Sequence, residues 1–190
     1  MVKTRCSWPS DDPLYIQYHD EEWGVPLFDE QRLFEFLILE TFQAGLSWIT
    51  VLRKRENFRK AFDNFDYNLV AHYDETKIAS LMEDAGIIRN GAKIRSAVSN
   101  AQAFIQVQKE FGSFSKYIWG FVDWKPIQNC LASLKDIPAK TELAEHISKD
   151  LKKRGFKFVG PTVVYAHMQA TGMVNDHVVA CFRHKEVQGL

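Results

Sequence analysis

Apolar residues recur at helical spacing along almost the whole chain, and residues that open or close helices fall between the periodic stretches. Asp29 is placed to cap a helix through Ala44, with Leu33, Phe34, Phe36, Leu37, Ile38 and Phe42 as its apolar positions and Gly45 as its stop. Ser47 is expected to cap a second helix running to about Phe62. Asp74 opens a short helix ending near Gly86, and Ile94, Ala97, Val98, Ala101, Phe104 and Ile105 mark a long one stopped by Gly112. Ser113, Thr141 and the Gly160-Pro161 pair supply three further starts, with Gly155 and Gly172 as stops. No stretch alternates apolar and polar for more than a few residues, and there is no internal repeat, low-complexity tract or linker. The expectation is an all-α fold. Residues 125–140, with Pro126 and Pro138, are the least regular and are expected to cross the surface as a loop.

With 190 residues, the chain suits one compact domain or two small lobes. Its 24 basic and 24 acidic residues cancel, which by itself argues against a polyanionic partner. The distribution is uneven, however. Residues 1–40 hold nine acids and three bases, a net of −6, leaving +6 on residues 41–190. The basic excess gathers at residues 53–60, 89–95 and 149–157, where each run reads either as a solvated helix face or as a phosphate track. The longest unbroken apolar run, Val178 to Phe182, is far short of the ~20 residues that span a bilayer. Residues 1–13 lack the apolar core of a signal peptide, so no membrane association and a cytoplasmic location are expected. Three cysteines, Cys6, Cys130 and Cys181, leave one over from any pairing, so each is a thiol, a metal ligand or a core residue.

Three features could carry chemistry. His177 and Cys181 stand four apart, which puts them one helical turn apart on one face, and Cys6 with His19 offers a second pair near the other end. Together they form a Cys2His2 set, although the short Cys-x2–4-Cys signature of zinc sites is absent and core packing explains each pair alone. Four protein ligands would leave no position for an activated water, so a metal there would be structural and would tie the two ends of the chain together. The run from Leu151 to Thr162 reads as a helical hairpin whose turn lies between Gly155 and Gly160. Backbone N–H groups at the start of its second helix suit a phosphate, while Lys152, Lys153 and Lys157 add attraction. An ordinary packing corner would look similar, but the basic flank and the apolar Phe158-Val159 pair favour a DNA contact. Finally, Glu40 sits in an apolar helical stretch near Trp8, Tyr15, Tyr18, Trp23 and Trp48. Either it surfaces at the stripe's edge, or it faces a pocket for a flat cationic ring.

Several segments together are more specific: Asp12-Pro13-Leu14-Tyr15, Tyr18-His19-Asp20-Glu21-Glu22-Trp23-Gly24-Val25-Pro26, Gln43-Ala44-Gly45-Leu46-Ser47-Trp48-Ile49-Thr50-Val51-Leu52, Asp84-Ala85-Gly86-Ile87-Ile88-Arg89, Lys152 to Gly160, and Asn175-Asp176-His177. In this order, from Cys6 to Cys181, the chain resembles the 3-methyladenine DNA glycosylase I family of bacterial alkylation-repair enzymes. The resemblance implies an all-α helix-hairpin-helix fold, a single glycosylase domain over residues 1–190 with two helical lobes around a cleft and the hairpin at about 142–172. It implies a structural Zn2+ held by Cys6, His19, His177 and Cys181, joining the N- and C-terminal segments. Glu40 would contact the edge of the methylated base, and Trp48, Tyr18 and Trp8 would wall its pocket. Gly45 and Leu46 would wedge into the gap left by the flipped nucleotide, replacing lost stacking. Lys157, Gly160 and Thr162 would meet the backbone of duplex DNA containing an alkylated purine; no nucleotide cofactor is expected, and a short duplex footprint suits a monomer.

One departure from the wider helix-hairpin-helix superfamily bears on mechanism. Members resembling endonuclease III carry an Asp two residues before a His, where this chain has Asn175, with Asp176 one position away. Many also carry a Lys nucleophile where this chain has Thr162. Without that Lys no Schiff base with the sugar forms, so the expected reaction is hydrolysis alone, leaving an abasic site in an uncut strand. Two other readings compete. A metal-pinned module that binds distorted DNA without chemistry needs no base pocket, and a zinc hydrolase of small molecules needs an open metal position.

Overall fold

A computed structural model describes residues 3–43 and 45–190. Eleven α-helices are described in it, joined by short turns and one parallel pair of two-residue strands. In chain order they are α1 (Pro13–Glu21), α2 (Glu30–Gln43), α3 (Trp48–Leu52), α4 (Arg55–Ala61), α5 (Tyr67–Val70), α6 (Glu75–Glu83), α7 (Gly91–Phe111), α8 (Phe114–Gly120), β1 (Ile127–Gln128), α9 (Glu142–Lys153), α10 (Pro161–Ala170), β2 (Val174–Asn175) and α11 (Phe182–Glu186). The all-α expectation holds, and the irregular 125–140 segment supplies β1 and crosses the surface.

The expected caps are made by side chains. Asp29 Oδ1 accepts from the Arg32 N–H, and Asp74, Ser113 and Thr141 accept from Lys77, Lys116 and Ala144 in the same way. The helix drawn through Ala44 is described as far as Gln43, Ala44 lying outside the described residues. The single helix expected from Ser47 to Phe62 is instead two. Ser47 has extended cap geometry, but its hydroxyl bonds the Thr50 hydroxyl. The Lys54 N–H then reaches back only three residues, to the Val51 carbonyl, which tightens the turn. The chain restarts at Arg55, whose guanidinium turns inward to Glu35, 2.6 Å away.

The first helix went unread because its apolar spacing is weak, yet its start is marked. Asp12 caps the N–H groups of Leu14 and Tyr15, and Pro13 occupies the first helical position.

Helix α2 is the axis of the molecule. Every residue from 33 to 42 is buried, so the helix is enclosed on all sides rather than along one stripe. Phe34 packs on Phe104 of α7, Phe42 on Phe58 of α4, and Phe36 lies under the Arg55 guanidinium. An enclosed helix must bury its polar residues too, and Glu35 and Glu40 are 4% and 3% exposed.

Chain direction after α10 depends on one glycine. Gly172 has φ +72, and a Cβ there would lie 2.4 Å from the backbone of Val25 and Pro26. Neither the conformation nor the approach admits a side chain. Gly172→Ala is expected to cost about 2 kcal/mol or more, read as a lower thermal midpoint.

Candidate active site and metal centre

The two buried glutamates of α2 differ in their surroundings. Glu35 accepts from Arg55 Nε at 2.6 Å and from Arg59 Nε at 2.9 Å, while Arg55 also reaches Glu22 at 2.8 Å. Glu40 has no such partner. Its Oε2 is buried without a hydrogen bond among the described residues, and burial raises its pKa to about 8. A buried carboxyl of this kind is costly unless a ligand completes it.

Glu40 opens onto a cavity of about 240 Å³ lined by Trp8, Tyr15, Tyr18, Trp23, Gln43, Trp48, Ile137, Ala166 and Gln169. The aromatic rings support one another. Trp8 lies 4.7 Å from Tyr15 and 5.2 Å from Trp23, and Tyr18 lies 5.5 Å from Trp48. Burial, then the neighbouring Glu40, holds the hydroxyls of Tyr18 and Tyr15 protonated, with pKa values above the ordinary tyrosine value. Trp48 Nε1 is likewise buried without a partner among the described residues. The cavity therefore offers flat apolar walls, one carboxyl and an unpaired indole N–H, which together match one planar heterocycle.

Burial of Glu40 has a sign that can be tested. A carboxyl whose folded-state pKa is raised from 4.5 to about 8 contributes stability below pH 4.5 that is lost as pH rises through 8. Glu40→Gln removes the ionisation, so relative to wild type it is expected to be increasingly stable across that window, by up to about 5 kcal/mol above pH 8. Thermal midpoints of both proteins from pH 4 to 9 read this out. A constant difference across the range would contradict it.

Trp8, Tyr18, Glu40 and Trp48 thus converge as the sequence suggested. Gly45 and Leu46 lie in the exposed turn between α2 and α3, with Gly45 at φ +84 and Leu46 41% exposed, beside the helix ends that carry Glu40 and Trp48. The hairpin is α9, a turn, and α10. Lys157 and Thr162 are exposed, and the Lys157 backbone is held at both N–H and C=O by the side chain of Asn100 on α7. Helix α10 then runs inward to place Ala166 and Gln169 on the cavity wall.

Sequence reasoning missed Gln169, Ala166 and Ile137. Ile137 belongs to the irregular loop, where no periodicity flags it, and Ala166 and Gln169 lie on the second helix of the hairpin, on a face that looks like ordinary packing. Asn175 and Asp176 are both buried. Asn175 bonds Gln128 and the His184 carbonyl, and Asp176 accepts from Asn129, Tyr165 and Gln169.

The basic clusters are corrected in part. Arg55 and Arg59 pair internally, Arg53 with Asp12, Arg95 with Glu75, and Arg154 with Asp150 and Glu110. Lys93 is buried and donates to the Phe42 carbonyl. Exposed lysines remain chiefly at the hairpin, in Lys152, Lys153 and Lys157.

The metal set also assembles, by another route than a helix. Residues 176–181 form a turn, with the Cys181 N–H bonded to the Val178 carbonyl, and α11 starts only at Phe182. The turn brings His177 and Cys181 to Cys6 and His19, and the four ligand atoms lie within 4.8 Å of one another. Sulfur-to-nitrogen distances are 3.7 Å for Cys6–His177, 3.6 Å for Cys181–His177 and 3.5 Å for Cys181–His19. Tetrahedral zinc with ordinary bond lengths sets sulfur and nitrogen ligands about 3.6 Å apart, so the set fits this metal. Hydrogen bonds from Cys6, then His177 and His19, hold the Cys181 thiol well below its ordinary pKa. The far ring nitrogens are tied down, His19 to Asp20 at 2.8 Å and His177 to the Trp23 carbonyl at 3.0 Å. Trp23 and Trp8 pack on these rings, so the metal set and the cavity share a wall.

An all-helical protein with an aromatic cavity for one base, a buried carboxyl in it and a basic hairpin beside it has the make-up of a DNA base-excision glycosylase. The chain belongs to the methyladenine glycosylase family, whose model matches residues 8–184. It is 51% identical over 177 residues to DNA-3-methyladenine glycosylase 1 of Escherichia coli K12, covering 93% of this chain and 95% of that one. To the Haemophilus influenzae DNA-3-methyladenine glycosylase it is 49% identical over 180 residues, covering 95% and 97%. Its fold is similar to that of the Staphylococcus aureus 3-methyladenine DNA glycosylase I, solved for the basis of 3-methyladenine recognition, with a TM-score of 0.92 at 36% identity over 96% of this chain and 97% of that one.

Proposed function

We propose that this protein removes 3-methyladenine from alkylated duplex DNA by hydrolysis of the N-glycosidic bond, leaving an abasic site in an uncut strand. The observation that carries the reading is Glu40, a buried carboxyl without a partner among the described residues in a cavity of aromatic rings. A flipped 3-methyladenine is cationic. Its charge draws the Glu40 pKa down, and the carboxylate so formed accepts from the base's amino edge. Stacking on Trp48, with Tyr18 and Trp8 as further walls, favours a cationic ring over a neutral one.

The methylated base leaves as a neutral molecule and needs no acid. Water adds at the sugar carbon, and its proton passes to solvent. Positive charge developing on the sugar is met mainly by the DNA phosphates. Thr162 stands where a Schiff-base lysine would be needed, which supports hydrolysis without strand cleavage.

Gly45 and Leu46 serve in this reading as the wedge, and Lys157, Gly160 and Thr162 of the helix-hairpin-helix hold the DNA backbone. The domain is a single one with two helical lobes, acting as a monomer in the cytoplasm. Among the described residues no helix is long and apolar enough to cross a membrane. Cys6, His19, His177 and Cys181 hold zinc, which supplies structural cross-linking only, since four protein ligands close the site.

Chromatography of bases released from methylated duplex DNA, with chelator present, tests the reading. Release of 3-methyladenine with intact strands is expected, and binding to the same DNA without release would point to a binding module instead. A pocket that selects for charge should release neutral hypoxanthine far more slowly, and equal rates would overturn the role given to Glu40 and Trp48.

A further inference from the structure

Asp176 is 1% exposed and accepts three hydrogen bonds: Asn129 Nδ2 at 2.7 Å, the Tyr165 hydroxyl at 2.6 Å and Gln169 Nε2 at 2.7 Å. A carboxylate surrounded by donors has neither room nor reason to act on the sugar, which separates it from the catalytic Asp of the wider superfamily. Its contact with Gln169 has another consequence. A carboxylate accepts only, so it fixes which end of the Gln169 amide faces it: Nε2 is bound to Asp176, and Oε1 is the polar atom left for the cavity that Gln169 lines.

An exocyclic amino group carries two N–H donors pointing in different directions, so an acceptor elsewhere on the wall can meet the one that Glu40 does not. The cavity holds a single purine, so two acceptors on its wall meet the same ring.

We propose that Gln169 is a specificity-determining residue of the base pocket, its carbonyl aimed by the positioning residue Asp176 as a second, fixed acceptor for the amino-bearing edge of the purine. The assignment rests on the reading of this cavity as a 3-methyladenine pocket. An acceptor that cannot turn over admits an amino group at that edge and repels a keto oxygen, which is how 3-methyladenine and 3-methylguanine differ at C6. Free rotation of the amide would abolish the discrimination, because the Nε2 end would serve a keto oxygen equally well.

The test uses the purified full-length chain and the free bases 3-methyladenine and 3-methylguanine, with affinity read from quenching of tryptophan fluorescence and thermal midpoints recorded alongside. Gln169→Leu is expected to weaken 3-methyladenine about tenfold and 3-methylguanine little, so that the affinity ratio falls by about the same factor. Asp176→Asn is expected to lower the ratio severalfold in the wild-type background and not at all in the Gln169→Leu background, because it acts through Gln169. Equal weakening of both bases by Gln169→Leu would show a structural role and overturn the proposal. So would an Asp176→Asn effect on the ratio that persists in the double variant. Wild-type protein that binds neither base and releases none from methylated DNA would overturn the pocket reading itself, an outcome separable from the others because it appears before any substitution is made.

Discussion

Glu40→Gln is expected to lower kcat/KM for 3-methyladenine release about 100-fold, with thermal midpoint at neutral pH and metal content no lower than wild type. The substitution keeps the side chain's shape inside the aromatic cavity and changes two things. It removes the negative charge that a cationic ring induces on binding, and its amide can present a donor where the base presents its own amino donors. A lost charge-assisted hydrogen bond in a dry pocket, combined with the unsatisfied groups left behind, accounts for about 2.7 kcal/mol, the free-energy equivalent of 100-fold. Because the same change relieves the cost of burying an ionisable group, the inactive protein should be the more stable one in mild alkali. That pairing of opposite effects separates a functional carboxyl from a structural one. Unchanged release at equal metal content would take Glu40 out of the mechanism.

Cys181→Ser is expected to destabilise the protein by about 3–5 kcal/mol, or roughly 10 °C in thermal midpoint, and to abolish stoichiometric zinc in the purified protein. The loss is expected to exceed that for an ordinary buried thiol because Cys6, His19 and His177 would be left packed around one another without the metal that would join them. Excision measured well below the midpoint should also fall severalfold, since Trp8 and Trp23 lean on the rings of His19 and His177. Full stability in a protein shown by elemental analysis to lack zinc would refute the structural-metal assignment.

The parts of this molecule that could be read from its sequence are those governed by local rules. Helix starts at Asp29, Asp74, Ser113 and Thr141 depend on one side chain reaching an N–H three residues away, and each was legible. The break at Arg53 and Lys54 was not, because the partner that draws Arg55 inward, Glu35, stands twenty residues earlier. The same limit explains the basic clusters, whose arginines looked like a surface until their acidic partners came into place from other helices. His177 and Cys181 were correctly paired on a mistaken premise: a four-residue separation brings two side chains together in a turn as well as in a helix. Glu40 was legible as an anomaly, a charge in an apolar stretch, but Gln169 on the same cavity wall was not, since glutamine on a mixed helix face carries no such signal.

The ligand set also sets an order on biosynthesis. Two of its members lie within the first twenty residues and two beyond residue 176, so a chain growing on a ribosome holds Cys6 and His19 in place long before their counterparts exist. Until Cys181 has cleared the exit tunnel, the wall formed by Trp8 and Trp23 has no His177 to rest on, although α2 and the helices packed around it are already complete. The wall of the cavity is therefore the part of the protein whose residues are completed last. A chain that lacks its last residues keeps the residues of most of its helical core while the wall formed by Trp8 and Trp23 lacks the His177 ring behind it.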